Sequence, residues 1–453
     1  MNKIPEHMIK KIRSLFFVLI AGLPLSGFAQ QKSELLSVNE LIKTGLDSSK
    51  SLKISQAKLQ MAQAKYDQAM DATLPTVKLN ANYTRLSDIE APKFLFPGAS
   101  EPVSLFPVYL NNYSVGISAS ETIFSGFRLK YAKESTNLLN DAAKFEFVKD
   151  REDIIFNLLN AYFNLNKLES SEKVIQENLK QTAERIRETE LAEKNGLVTQ
   201  NDLLRWKLQQ SNLELTLLDI QNNLEVANYN LNLQLGQNPE TKIEVDSNAI
   251  TTFHTVLSLQ EYMDLAAKNR NDLTAAQIRS NASFNNLQIA KNSYLPRITI
   301  QGEALDARPN SRYIPPVDKF NSTWAAGITF NWDLISIYSN KHNVDEYQSL
   351  YVQSKEGVNI LSDAIKVDVN QNYLNYNEAI KRIQVMERSV VQSEENLRLT
   401  DSRYKNSLVI LSELLEANNL VIQSKINLAI ARADLQIAYY RLIKSAGNLQ
   451  KEF

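Results

Sequence analysis

Apolar and polar residues follow two rhythms along the chain. Over four short stretches they alternate strictly. In the first, Val77, Leu79, Ala81 and Tyr83 face one way while Lys78, Asn80, Asn82 and Thr84 face the other. The second sets Tyr113, Val115, Ile117 and Ala119 against Ser114, Gly116, Ser118 and Ser120. The third sets Ile298, Ile300, Gly302 and Ala304 against Arg297, Thr299, Gln301 and Glu303. The fourth sets Trp324, Ala326, Ile328, Phe330 and Trp332 against Thr323, Ala325, Gly327, Thr329 and Asn331. Period-two alternation predicts strands with one apolar and one polar face.

Elsewhere apolar residues return every three or four positions over far longer stretches. From Ser125 to Lys194 there is no proline, and Gly126 is the sole glycine. At ~1.5 Å per residue such a helix is about 100 Å long, too long for a globular core. Ile154, Leu158, Ala161, Leu165, Leu168, Ile175, Leu179 and Ile186 fall on a four-three stagger, the seam of a coiled coil. Asn195-Gly196 ends this helix, glycine supplying a left-handed turn. A second helix is predicted to return from Asp202 to Leu235. Ser336 to Lys405 and Ser412 to Ser445 form a second such pair, with Asn406-Ser407 at its turn.

The two halves are copies. "LSVNEL" at 36–41 matches "LSLQEY" at 257–262, an offset of 221 that persists through Leu74-Pro75 and Leu295-Pro296. From Tyr113 the offset is 211, pairing Gly116 with Gly327 and Gly236 with Gly447. The length change of ten residues is thus confined to the loop between Tyr83 and Tyr113. That loop, roughly 84–112, holds Pro92, Pro97, Pro102 and Pro107, and its partner holds Pro309, Pro315 and Pro316. Proline at this density opposes helix and central strand, so both are exposed loops. A residue before proline is pushed out of the helical region, so Leu74 and Leu295 stop a helix and Pro75 and Pro296 open a strand. The organisation read from these signals is a leader at 1–29, a first repeat at 30–236, a linker with little secondary structure at 237–256, a second repeat at 257–447 and a tail at 448–453.

Charge and composition narrow the function. The chain has 453 residues, a formal net charge of −1, no cysteine and three histidines. Near-neutrality gives no electrostatic reason to expect nucleic acid. Without cysteine there are no disulfides, thiolates or cysteine-bound metals. His7 lies in the leader, His254 in the linker and His342 in a long helix, and no phosphate loop, metal-ligand spacing or nucleophile elbow occurs. An enzyme is not expected, and neither is a cofactor. The N-terminus reads as a secretory signal peptide: Lys3, Lys10, Lys11 and Arg13, an apolar run, then Gly27 and Ala29 before a cut at Gln30. Pro24 and Gly22 interrupt that run, which opposes a membrane-spanning helix. No cysteine follows it to carry a lipid.

Alternation alone leaves open whether the apolar strand faces meet a protein core or lipid. Strands of about ten residues suit a tilted bilayer crossing. Aromatics at strand ends (Tyr83, Tyr113, Trp324 and Trp332) suit interfacial girdles, and Lys78, Arg297 and Glu303 suit a watery lumen. Within lipid an unpaired sheet edge costs several kcal/mol per group, so only a closed barrel is stable. Four strands are too few to close one, since the smallest have about eight. Copies of the chain must therefore share strands.

Taken together, the duplication, both Leu-Pro joints, "ETIFSGFR" at 121–128 and the helix turns "NGLVTQNDLL" and "NSLVILSELLEA" resemble the TolC family of outer-membrane efflux and secretion channels. The resemblance runs from about Leu36 to Gly447. It implies a mainly helical protein with a membrane β-barrel: a homotrimer with twelve shared strands in the outer membrane of a Gram-negative bacterium, continued by a twelve-helix periplasmic tunnel. It also implies an inner-membrane pump and a periplasmic adaptor that docks on the helix turns, here Asn195, Gly196, Leu197 and Val198 with Asn406, Ser407, Leu408 and Val409. Read without the family, Leu197 and Leu408 are capping contacts packed on the last helical turn. By the same resemblance Asp202, Tyr404, Glu413 and Glu416 line the periplasmic gate, Tyr404 bonding Asp202 when it is shut. Val409 stands where the family has a latch arginine, so the latch differs here. The rival reading is an exported coiled-coil stalk or adhesin anchored by a small trimeric barrel. Strands that interrupt both halves of the chain favour the channel.

Overall fold

The computed structural model describes residues 34–88, 93–104, 107–246 and 254–453. The leader, and the cut at Gln30, lie outside them. By its internal contacts the chain forms two units. One comprises Met1–Ser48, Leu158–Thr252 and Val385–Ala433; the other comprises Ser49–Asn157, Phe253–Gln384 and Asp434–Phe453.

Among the described residues the elements run in the predicted order. Strand β1 (Glu34–Leu36) and helices α1 (Val38–Ser48) and α2 (Lys50–Asp71) lead to β2 (Thr76–Arg85). After the first loop come β5 (Asn111–Phe124), α3 (Arg128–Lys194) and α4 (Gln200–Leu235). The linker holds β6 (Ile243–Val245). Then α5 (Leu259–Asn269), α6 (Asn271–Lys291), β7 (Arg297–Arg308), β8 (Asn321–Asn331), α7 (Ser336–Lys405) and α8 (Leu411–Ser445) repeat the pattern. The long helices begin and end within three residues of the positions read from the sequence.

Three details go beyond the sequence reading. The lead-in to each Leu-Pro joint is two helices, broken at Ser49 and at Arg270, both extended. Ser49 caps α2 by accepting from the Leu52 N–H, and Arg270 spans the second break, donating to Asp272 and Asp368 and to the Ser445 carbonyl. The linker, read as holding little secondary structure, contributes one three-residue strand: β6 pairs in parallel with β1, Leu36 opposite Val245, and buries Leu36, Ile243 and Val245. The first loop carries a two-residue ladder, β3 (Lys93–Phe94) against β4 (Val103–Ser104).

The seam of α3 is also more polar than its spacing suggests. Leu158, Leu165, Ile175 and Ile186 are buried, whereas Ile154, Ala161, Leu168 and Leu179 are half-buried. Toward the tip, Ser171, Asn178, Thr182 and Thr189 are buried beside Ile175 and Ile186. Ser171, Asn178 and Thr189 donate to the carbonyl four residues back, at 2.8, 2.8 and 2.7 Å, so their burial leaves those donors satisfied.

Each repeat closes on itself at a glycine. Gly236 ends α4 with φ +67, and a Cβ there would lie 2.7 Å from Ser48 Cβ at the α1–α2 break. Gly447 (φ +68) stands in the same relation to Asn269 at the α5–α6 break. A left-handed backbone and a close approach both require glycine here. The last residue, Phe453, has no strand before it, but it is not idle: its ring stacks on Tyr440 at 5.7 Å.

Candidate functional site

The strand faces coincide. Strands β2, β5, β7 and β8 form one antiparallel sheet in that order. Register places Leu79 opposite Ile117, Ile117 opposite Ala304, and Ala304 opposite Trp324. One level along, Val77, Ala119, Gly302 and Ala326 line up, and further on Tyr83 faces Tyr113, their rings 5.0 Å apart. All four apolar sets therefore share one side. On the other side Lys78, Ser118 and Glu303 line up across three strands. Among the described residues nothing covers the apolar side: Leu79, Trp324 and Ile328 are 74 %, 77 % and 73 % exposed. The described residues therefore build no sandwich core on this sheet. Among the described residues the outer strands β2 and β8 each have one unpaired edge, so the sheet is open.

The strands exceed the alternating stretches at their ends, and there the pattern changes. Strand β7 runs on to Arg308, bringing Asp306 and Arg308 onto the apolar side and Leu305 and Ala307 onto the polar one. Glu121 lies on the apolar side opposite Ile300, beyond the start of β2 at Thr76. The charges thus bracket the apolar band. At the joints the backbone behaves as the prolines require: Leu295 is extended (φ −88, ψ 149) after a single 3-10 turn, and β7 starts directly after Pro296. Thr73 and Leu74 follow the end of α2, and β2 starts directly after Pro75.

At the other sequence landmark, the helix turns, the two copies adopt one conformation. Gly196 has φ +69 and Ser407, its counterpart, φ +59. In each turn the next amide reaches back to the helix, Leu197 N–H to the Ala192 carbonyl and Leu408 N–H to the Arg403 carbonyl, both at 2.9 Å. This is the hydrogen-bond pattern of a Schellman cap. Its usual hydrophobic contact is weak here, because Leu197 and Leu408 stay 77 % and 73 % exposed. Asn195 and Asn406 are exposed, and Val198 and Val409 are half-buried.

The four gate candidates do not form one bonded group. Asp202 is the third residue of α4, and its carboxylate accepts from Thr199 N–H and Oγ1 in a capping box. Tyr404 makes no hydrogen bond to Asp202 among the described residues, and the cap takes up one of the two Asp202 oxygens. The two still sense each other: burial first, then the negative Asp202, raise the Tyr404 phenol above its ordinary pKa, and Arg185 opposes them. Tyr404 itself packs on the cluster of Ile186, Trp206, Leu411 and Leu414. Glu413 and Glu416, one turn apart in the first turns of α8, are both exposed, as a shared lumenal face would require.

Sequence reading missed the charged group beside them. Arg185 of α3 lies 2.7 Å from Asp401 of α7, and Lys405 lies 2.8 Å from the other Asp401 oxygen. The Asp401 side chain is only 17 % exposed. This group ties the last turns of the two long helices together next to both tips. Arg185→Ala leaves a largely covered carboxylate with a single cation and is expected to loosen the tip by about 1 kcal/mol. The measurement is the frequency of channel opening in bilayer recordings, which should rise; an unchanged frequency would make the pair a packing detail.

A sheet with one bare apolar side, open at both edges and joined to helices of this length, defines a mixed helix-and-strand class of protein built to meet lipid. The outer membrane efflux protein family matches this chain over residues 41–237 and 262–448, and the chain belongs to that family. Outer membrane protein TolC of Vibrio cholerae is 20 % identical over 387 residues, 84 % of each chain. TolC of Salmonella enteritidis is 22 % identical, covering 98 % of this chain and 88 % of its own. The crystal structure of the outer membrane protein VceC from Vibrio cholerae superposes with a TM-score of 0.76 at 20 % identity, covering 90 % of this chain and 96 % of VceC. The fold is thus that of the TolC-like channels, and the protein is an outer-membrane efflux channel and not an enzyme.

Proposed function

We propose that three copies of this chain close a twelve-strand barrel in the outer membrane, continue it as a helical periplasmic tunnel, and serve as the exit channel of a tripartite efflux or type I secretion system. The observation that carries this reading is the open sheet with an uncovered apolar side. Such edges are tolerated in lipid only when other copies pair with them. In the proposed assembly a periplasmic adaptor docks on the turns at Asn195–Val198 and Asn406–Val409, and an inner-membrane pump delivers the substrate. Leu197 and Leu408 support that surface as exposed apolar residues on a rigid cap. Neither nucleic acid nor a cofactor has a part in it.

Recordings from purified full-length protein in planar bilayers test the channel. Discrete conductance steps are expected, and a water-soluble monomer without conductance would end the proposal. Co-purification with a periplasmic adaptor from the same cells tests the partner, and Leu197→Glu with Leu408→Glu should abolish that capture without changing conductance. Threefold symmetry would place Glu413 and Glu416 in two stacked acidic rings, favouring cations. Glu413→Lys with Glu416→Lys is accordingly expected to lower or invert cation selectivity, measured as the reversal potential in a salt gradient. An unchanged reversal potential would remove both residues from the gate.

A further inference from the structure

Away from the sheet and the helix turns, the unit that contains β1 and β6 carries a preformed groove of about 970 Å³. The segment from Pro239 to Asp246 forms one wall, held against α4 by two asparagines. Asn228 donates to the Thr241 carbonyl at 2.8 Å and accepts from Ile243 N–H at 3.0 Å, and Asn232 donates to Thr241 at 2.7 Å. The floor is apolar: Leu165, Leu224, Ile243 and Val245 line it, with the ring of Tyr229 beside them.

Its polar lining has one dominant sign. Six carboxylates (Glu169, Glu172, Glu225, Glu240, Glu244 and Asp246) line it against two ammonium groups, Lys173 and Lys242. The chain as a whole carries a formal charge of only −1, so negative charge is concentrated here. Glu169 on α3 is half-buried, and burial raises its carboxyl above the ordinary range, the Val245 amide and the two lysines pulling it back and Glu244 pushing it further. The carboxylates are dispersed: among the described residues no group of acidic or histidine side chains is close enough to hold a metal ion. Anions are repelled, and a bare cation finds no converging oxygens. What fits an apolar floor under a spread negative field is a delocalised charge on an apolar body.

We propose that this groove binds an aromatic organic cation, its charge beside Glu169 and Glu244 and its body on Leu224, Tyr229 and Val245. The site stands independently of the channel reading, because every residue invoked lies outside the four-stranded sheet and the helix turns.

Ethidium is a suitable probe, since its fluorescence rises on transfer from water to an apolar site. Titrated onto the full chain in a neutral detergent, it should bind saturably, whereas the anionic dye 8-anilinonaphthalene-1-sulfonate should not. Glu169→Gln with Glu244→Gln keeps the shape of both side chains and is expected to weaken ethidium about tenfold, as loss of two near-surface charge contacts should. Tyr229→Ala should weaken it severalfold, and Glu356→Gln, on an exposed turn of α7, should not. No saturable ethidium binding would overturn the proposal. So would equal affinity in the double glutamine variant, or saturable binding of the anionic dye at the same residues.

Discussion

Leu79→Lys is expected to abolish insertion into the outer membrane, while Asn80→Lys, one residue along the same strand, is expected to leave it intact. The two positions differ only in the side of the sheet they occupy. Leu79 stands in register with Ile117, Ala304 and Trp324, and Asn80 with Gly116, Leu305 and Thr323. A lysine on the lipid side near the bilayer centre costs roughly 2–4 kcal/mol, against almost nothing on a watery lumen. In a threefold barrel that cost recurs in every copy, and about 6–12 kcal/mol is comparable to the whole stability of a typical domain. The measurement is the share of protein in the outer-membrane fraction and its migration as an intact oligomer. Equal tolerance of both lysines would mean that the apolar side never meets lipid, and the barrel would go with it.

The legibility of this contrast in the sequence has a physical reason. Strand side chains repeat with a period of two, so a one-residue slip would turn every apolar side chain over. The alternation therefore fixes the face of every strand residue, whereas the alignment of Leu79, Ile117, Ala304 and Trp324 at one level is supplied by the pairing in the structure. Long helices are legible for a similar reason: an uninterrupted run without proline admits little else. What escaped notice lacks such a period. Strands β1 and β6 are three residues each, and Leu36 meets Val245 across nearly half the chain. The breaks at Ser49 and Arg270 carry neither glycine nor proline, and apolar periodicity passes straight through them. The buried polar seam of α3 was hidden because Ser171, Asn178 and Thr189 satisfy themselves on their own helix, which no pattern of apolar residues reveals.

The gate shows the same limit in another form. Asp202, Tyr404, Glu413 and Glu416 came into view through the family resemblance; spacing alone makes them an ordinary solvated face. Asp202 proved to be a helix cap, a role that "TQND" spells out through Thr199 and its third neighbour. Arg185 and Asp401 each sit in a run of charged residues, and only the meeting of α3 with α7 distinguishes them from their neighbours. A charge that matters because of one distant partner has no local signature.

Gly126→Ala should be among the most damaging single-methyl additions in the protein, and the comparison with Gly196→Ala separates its two causes. Both glycines are left-handed, with φ +64 and +69. Gly196 has nothing within 4 Å of an added Cβ, and its counterpart Ser407 already carries a side chain at φ +59. Gly196→Ala therefore bears only the backbone cost, about 1–2 kcal/mol. At Gly126 the new Cβ would fall 2.6 Å from the Asn292 carbonyl oxygen and 2.7 Å from Leu295 Cβ. Neither atom can rotate away, since one belongs to the backbone and the other is the first carbon of its side chain. Overpacking of this kind adds about 1–3 kcal/mol. The displaced residues are the turn that ends at Leu295-Pro296, so the strain is delivered to the second repeat's joint from the first repeat's strand-to-helix junction. Phe127, the next residue, is left-handed too (φ +62), its ring edge-on to Phe124 at 5.6 Å, so the junction has little slack to absorb a shift. Thermal unfolding of the detergent-purified variants should place Gly126→Ala several degrees below Gly196→Ala. If the two melted together, the contact between the halves at this joint would contribute nothing, and Gly126 would be required for its backbone angle alone.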